Sequence, residues 1–133
     1  MTPFSLKIVT PYGLVYDGQT EELIVRTTSG DLGILAGHVN CVAPLGMGRA
    51  TVIIDGKRRY AACIGGMVSV VSGNVTLVPT TFEGAEDIDP DRAKRSRLQA
   101  EEVLKRKDAS DTELHLAKAR LKRALIRSSV AGR

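Results

Sequence analysis

Arg49-Ala-Thr-Val-Ile-Ile-Asp-Gly-Lys-Arg-Arg-Tyr-Ala-Ala-Cys-Ile64 is the stretch that decides the fold of the first part of the chain. Two β-rich runs, Arg49–Ile54 and Arg59–Ile64, flank Asp55-Gly56-Lys57, and Asp-Gly between such runs is a strong short-range hairpin signal. Downstream, Met67-Val-Ser-Val-Val71 and Val75-Thr-Leu-Val78 flank Ser72-Gly73-Asn74 and repeat the pattern. Upstream lie Ser5-Leu-Lys-Ile-Val-Thr10, with Leu6 and Ile8 on one face, a turn at Pro11-Tyr-Gly-Leu14, and the run Glu22–Thr28 ended by Ser29-Gly30. Short strands spaced this evenly predict a closed antiparallel β-sandwich or barrel rather than a parallel sheet.

The texture changes near Gly84. Twelve of thirteen glycines precede residue 85, and glycine suits turns between strands but is costly inside helices. Residues 1–84 carry six Lys/Arg against six Asp/Glu, whereas residues 85–133 carry thirteen against nine, so the whole net charge of +4 sits in the second part. The organisation predicted is therefore α+β: an N-terminal antiparallel β-sandwich, residues 1–84, followed by a C-terminal antiparallel two-helix hairpin, residues 85–133. Asp89 is a good N-cap, Pro90 suits the first helical position, and Lys105, Arg106 and Lys107 complement the far end of the helix dipole. After Asp108-Ala-Ser110, the capping box Ser110-Asp-Thr-Glu113 starts a second helix expected to run to about Ser129.

The two helices offer narrow apolar stripes at spacings of three and four: Ala93, Ser96, Ala100, Val103 and Leu104 on the first, Leu114, Ala117, Leu121, Ala124 and Ser128 on the second. Small residues permit close approach but bury little area, so the seam is expected to be weak enough to open. Folding the hairpin about Ala109 brings Arg92, Arg123 and Arg127 to one open end. A cluster of guanidinium groups suits phosphate, and solvation or pairing with Glu83, Glu86, Asp87 and Asp89 is the other reading.

Several functions are disfavoured. At 43% hydrophobic and 26% charged the chain has globular composition, with no run of about eighteen apolar residues to span a bilayer. The opening Met1–Lys7 lacks a basic region followed by an apolar core, so no secretory signal is expected. Two cysteines, Cys41 and Cys63, are too few for a disulfide framework and point to a reducing compartment, and the expectation is a soluble cytosolic protein with both packed. The His38 and Cys41 pair has no second tight pair to complete a metal site. With no Trp, three Tyr and two Phe, single-stranded nucleic acid has little to stack on. Glu86-Asp-Ile-Asp-Pro-Asp91 interrupts the positive field that duplex binding by the basic helices would need. No P-loop and no nucleophile–base spacing is present, so no catalytic residue is assigned. Ser29-Gly-Asp-Leu-Gly-Ile-Leu-Ala-Gly-His-Val-Asn40 reads as a bulged connection with Gly30, Gly33 and Gly37 at special backbone angles, or as a surface loop presenting Asp31 and His38 to a partner.

Thr10-Pro-Tyr-Gly-Leu-Val-Tyr16, Ser29-Gly-Asp-Leu-Gly-Ile-Leu-Ala-Gly-His38, Ala43-Pro-Leu45, Gly65-Gly66 and Ala85-Glu-Asp-Ile-Asp-Pro-Asp-Arg-Ala-Lys94 together resemble the epsilon subunit of bacterial F-type ATP synthase, essentially from end to end. The resemblance implies a non-catalytic central-stalk subunit at the cytoplasmic face of the plasma membrane and peripheral to it. Its implied partners are the gamma subunit, the c subunits of the rotor ring, and the alpha and beta subunits of the catalytic head, with no nucleic acid. The region of Asp31 and His38 matches the family's stalk and ring contact. The helical pair is implied to be mobile: folded down it permits ATP hydrolysis, and extended into the head it blocks rotation through basic residues, here Arg120, Lys122, Arg123 and Arg127. Regulatory ATP in some members implies a site at Glu83, Ile88, Asp89, Arg92, Arg123 and Arg127, with Ala93 completing the motif. There Ile88 would meet the base, Asp89 would cap the helix and accept from the adenine, and the arginines would hold phosphates. No cofactor is otherwise required, and no visible ligand set calls for magnesium. Gln99 departs from the basic residue of a nucleotide-binding member. The rival readings are a stand-alone ATP-sensing regulator and a basic nucleic-acid-binding module. An isolated copy with its seam loosened is also expected to be able to pair with a second copy.

Overall fold

The structure, a computed structural model, describes residues 1–132. It divides into two compact units at Gly84 and Ala85. The first holds β1 (Phe4–Thr10), β2 (Gly13–Thr20), β3 (Glu22–Thr27), β4 (Gly30–Ile34), β5 (Cys41–Pro44), β6 (Met47–Ile54), β7 (Lys57–Val71) and β8 (Asn74–Gly84). The second holds a 3-10 turn at Ala85–Asp87, α1 (Pro90–Lys105) and α2 (Asp111–Ala131).

Both predicted hairpin turns form, each with two residues in the left-handed region: Asp55 (φ 52°) with Gly56 (φ 76°), and Ser72 (φ 49°) with Gly73 (φ 82°). Two consecutive positive φ values match the right-handed twist of the flanking strands, which is why two-residue hairpins take this form. The turn at Asp55-Gly56 is also tied across the fold, where the Gly56 N–H donates to Glu21 Oε1 at 2.8 Å.

The strands pair in the order β2-β1-β8-β7-β6-β3-β4, with β5 also against β7. Along β7 the registers run through without a slip. Pro44 opposes Met67 and Met47 opposes Ile64 on one side, while Gly66 opposes Pro79 and Ile64 opposes Thr81 on the other. Four strands thus make one long ribbon, with β5 and β6 end to end on one side of β7 and β8 on the other. The ribbon bends where β7 carries Gly65 (φ 68°) and Gly66 (φ 97°), bridged to the neighbouring strand by Leu45 N–H to Gly66 O at 2.8 Å and Gly65 N–H to Gly46 O at 3.0 Å. Across the bend the inward positions of β7 change from Ala61 and Cys63 to Val68 and Val70, because two left-handed residues break the alternation of the pleat. Folded over at this line, the ribbon supplies both layers of a sandwich. Phe4, Leu6, Ile8, Val68, Val70, Val75 and Leu77 meet Leu23, Val25, Ile34, Ala50, Val52, Ala61 and Cys63 in one core. Corners are closed by Glu21 N–H and the buried Thr20 hydroxyl, both donating to Ile53 O, at 2.8 Å and 2.7 Å.

Four readings need correction. Arg59–Ile64 and Met67–Val71 belong to one strand, because the glycine pair bends β7 without ending it. β2 and β5 are strands that the local pattern did not announce. Not all pairing is antiparallel, since β1 lies parallel to β8 (Leu6 opposite Val75). Gly30 and Gly37 have positive φ (122° and 83°), as expected, but Gly33 is an ordinary strand residue of β4 opposite Ile24.

A Cβ on Gly66 would collide with the Val78 carbonyl oxygen and sit 2.8 Å from Pro79 Cα, both backbone atoms that cannot swing away. Gly66→Ala is therefore expected to lower stability by about 2–4 kcal/mol in urea denaturation, while Gly33→Ala, with open space and ordinary φ, stays within about 0.5 kcal/mol. Cys63 gives a pH test. Desolvation in the core pushes its thiol from 9.0 up to about 12. The unfolded thiol ionises first, so this contribution is complete below about pH 9 and is lost as pH rises toward 12. Between pH 8 and pH 10 the native chain should lose about 1 kcal/mol more stability than Cys63→Ala does over the same interval.

Candidate regulatory site on the helical hairpin

The start of α1 is built from short-range interactions. Asp89 is extended (φ −84°, ψ 106°) and its Oδ1 accepts from the N–H groups of Asp91 and Arg92 at 3.0 Å and 3.1 Å. Pro90 occupies the first helical position, where no N–H is needed. Ile88 follows the 3-10 turn, its N–H reaching Ala85 O at 3.4 Å, and its side chain is buried. At the other end, α2 starts with a complete capping box: Glu113 N–H donates to Ser110 Oγ at 3.1 Å, and Ser110 N–H donates to Glu113 Oε1 at 3.2 Å.

Between these caps the buried residues of α1 are Ala93 and Ala100, and those of α2 are Ala117, Ala124 and Val130. The helices are joined by five residues and pack on each other, which makes them antiparallel neighbours. The buried alanines lie seven positions apart on each helix, and an antiparallel hairpin with a five-residue link sets Ala93 level with Ala124 and Ala100 level with Ala117. The rest of the expected stripe, Ser96, Val103, Leu104, Leu114, Leu121 and Ser128, is half-buried. Four alanine methyls at about 0.8 kcal/mol each give roughly 3 kcal/mol, well below what four leucines would supply.

This register places Arg92, beside Ala93, and Arg123, beside Ala124, at the end where Asp89 caps α1, with Arg127 one turn further along α2. Contact of α2 with the Ala85–Asp87 turn agrees with that placement. Arg92 is exposed, while Arg123 and Arg127 are half-buried. Ile88, Asp89, Arg92, Ala93, Arg123 and Arg127 are thereby gathered at one end of the hairpin. Glu83 stands on β8 opposite Ala62, in the first unit. Arg120 and Lys122 are exposed on α2, and Gln99 is exposed on α1. Arg97 lies 3.4 Å from Glu101 on its own helix, engaged away from the arginine group.

Asp31 and His38 do not share a loop. Asp31 is a strand residue of β4, opposite Arg26 and 3.4 Å from its guanidinium, whereas His38 lies beyond the strand. His38 Nδ1 is 2.8 Å from the Val39 carbonyl oxygen, which only accepts, so that nitrogen carries the proton. Sequence reading missed the neighbours of His38: Leu35 and Val39 are 49% and 73% exposed, an apolar pair beside an imidazole. The available signal was the placing of Leu35 and Val39 on either side of Gly37-His38, in a connection too short and glycine-bearing to bury them.

Among the described residues no group of three or more His, Cys, Asp or Glu is placed to hold a metal ion. Both cysteines are free, with Cys63 in the core and Cys41 partly buried against it.

Residues 3–85 match "ATP synthase, Delta/Epsilon chain, beta-sandwich domain", and residues 86–132 match "ATP synthase, Delta/Epsilon chain, long alpha-helix domain". The chain belongs to the ATP synthase delta/epsilon chain family. An ATP synthase epsilon chain of Bacillus velezensis is 42% identical over 132 residues, 99% of each chain. One of Bacillus subtilis is 43% identical over 133 residues, the whole of both. A chain of the Euglena gracilis mitochondrial ATP synthase shares the fold at a TM-score of 0.86 and 19% identity, covering 97% of this chain and 81% of that one.

The cap at Asp89 is the most economical point at which to test this end of the hairpin. Asp89→Ala should cost about 1 kcal/mol and speed amide exchange at Asp91 and Arg92, whereas Asp89→Asn, which still accepts, should retain most of the protection.

Proposed function

We propose that the chain is the non-catalytic central-stalk subunit of a proton-translocating F-type ATP synthase, coupling rotation to ATP synthesis and restraining ATP hydrolysis through its C-terminal helices. Full-length identity above 40% to epsilon chains supports the assignment. The observation that carries the regulatory part is the hairpin itself: an alanine seam with its ends well capped, and arginines gathered at one end.

Within this reading the sandwich binds the gamma subunit and rests on the c subunits of the rotor ring through the Leu35–Asn40 segment, where His38 is flanked by exposed Leu35 and Val39. Asp31 takes part through its strand-borne pair with Arg26. The second unit is the mobile element. Folded, its arginines can take the phosphates of ATP, with Ile88 toward the base and Asp89 between cap and adenine. Opened, Arg120, Lys122, Arg123 and Arg127 meet acidic segments of the alpha and beta subunits. ATP then acts as a regulator that selects the closed packing, and it is not turned over. Among the described residues no helix is long and apolar enough to cross a membrane. The subunit is peripheral, on the cytoplasmic face of the bacterial plasma membrane.

Reconstitution tests this. Hydrolysis is measured for the matching catalytic head with gamma, alone or with full-length chain, a version ending at Asp87, or Arg92→Ala. Only chains with both helices should suppress turnover, and rising ATP should relieve that suppression. Arg92→Ala, lacking one charge-assisted contact to phosphate, should need about tenfold more ATP for relief. Equal inhibition by the truncated version would remove the helices from the mechanism.

A further inference from the structure

The first unit has balanced charge, but its charges are not mixed. Four of its six basic residues, Arg49, Lys57, Arg58 and Arg59, stand on β6 and on the first residues of β7. All four are exposed, and none has an ion-pair partner among the described residues. Arg58 opposes Ile53 and Arg59 opposes Val52, so strand alternation sends Lys57 and Arg59 to one face of the ribbon and Arg58 to the other. Arg49 sits 4.8 Å over the ring of Tyr60, which holds its guanidinium in place. Of the acids near it, Glu21 is occupied by the Gly56 amide, Asp55 forms the turn, and Glu22 stands one strand further across, on β3 opposite Ile53.

The same segment has an open edge. Pairing between β7 and β8 stops at Ala61 opposite Gly84. On the side away from β6, Lys57–Tyr60 therefore has no strand partner among the described residues. Unpaired edges are templates for another strand, and basic side chains on them repel a second copy of the same edge. Those charges favour one kind of visitor. A lipid surface or a duplex would meet one face of the ribbon only, whereas the cations here project from both.

We propose that the Lys57–Tyr60 edge of β7 receives an extended acidic segment of a partner protein by strand addition. The visitor's backbone pairs with the free edge while its consecutive carboxylates, pointing to opposite faces in turn, meet Arg58 on one face and Lys57 and Arg59 on the other.

The probe is a blocked hexapeptide of consecutive glutamates, which presents carboxylates on both faces of an extended strand, added to the full chain. Controls are the same peptide with glutamine or lysine for glutamate, and anionic lipid vesicles. The acidic peptide should bind in a salt-dependent way and slow amide exchange within Lys57–Tyr60. The controls should not, and Arg58→Gln with Arg59→Gln should weaken binding about tenfold or more at unchanged circular dichroism. Three results would each overturn the proposal: no binding of the acidic peptide, binding without edge protection, or preference for vesicles. Exchange on the unaltered chain decides the matter even if the double variant is unstable.

Discussion

Two consecutive left-handed residues in the middle of a long strand are the constraint on which the first unit depends. Gly65 and Gly66 let β7 bend without giving up its pairing on either side, and the neighbouring strands bend with it. One ribbon therefore furnishes both layers of the sandwich. At Gly66 there is no room for a side chain, because the backbone of β8 crosses where a Cβ would be. Core closure and the position of the His38 segment, which leaves β4 and returns as β5, follow from this bend. It is a fixed joint, with its hydrogen bonds made and its surroundings full.

The second unit is built on the opposite principle. Its helices are well specified locally, by Asp89 and Pro90 at one start and by the reciprocal Ser110–Glu113 box at the other. What holds them together is thin by comparison. Alanine against alanine gives close approach and little buried area, so the helices are more secure as helices than as a pair. A ligand that binds across one end of such a pair shifts its population by its differential affinity alone, and a weak seam makes that shift attainable. In the function proposed above, Arg92, Arg123 and Arg127 would supply that affinity.

Local chemistry was legible in the sequence, and long-range placement was not. Asp55-Gly56, Ser72-Gly73, Asp89-Pro90 and Ser110-Asp-Thr-Glu113 each act within a few residues of themselves, so their turns and caps could be read directly. Gly13–Thr20 contains Asp17-Gly18, which looks like a turn, yet it pairs as β2 because β1 supplies the partner. Gly65-Gly66 looked like a break between strands, and only the unbroken registers with β6 and β8 reveal a bend. Parallel pairing of β1 with β8 joins residues about seventy positions apart and leaves no local trace. At the site, the arginine convergence followed from counting along an antiparallel hairpin. The strand setting of Asp31, and the exposure of Leu35 and Val39, depended on neighbours that spacing does not name.

The proposed regulation requires the seam of the hairpin to open, and a covalent link across the seam would prevent that opening. Cysteines at Ala93 and Ala124, in a chain with Cys41→Ala and Cys63→Ala, would be joined by a short thiol-cleavable crosslinker before addition to the catalytic head. If opening is required, the crosslinked chain still binds but no longer suppresses hydrolysis, and cleaving the link restores suppression. Full suppression by the crosslinked chain would instead make the closed hairpin the inhibitory form.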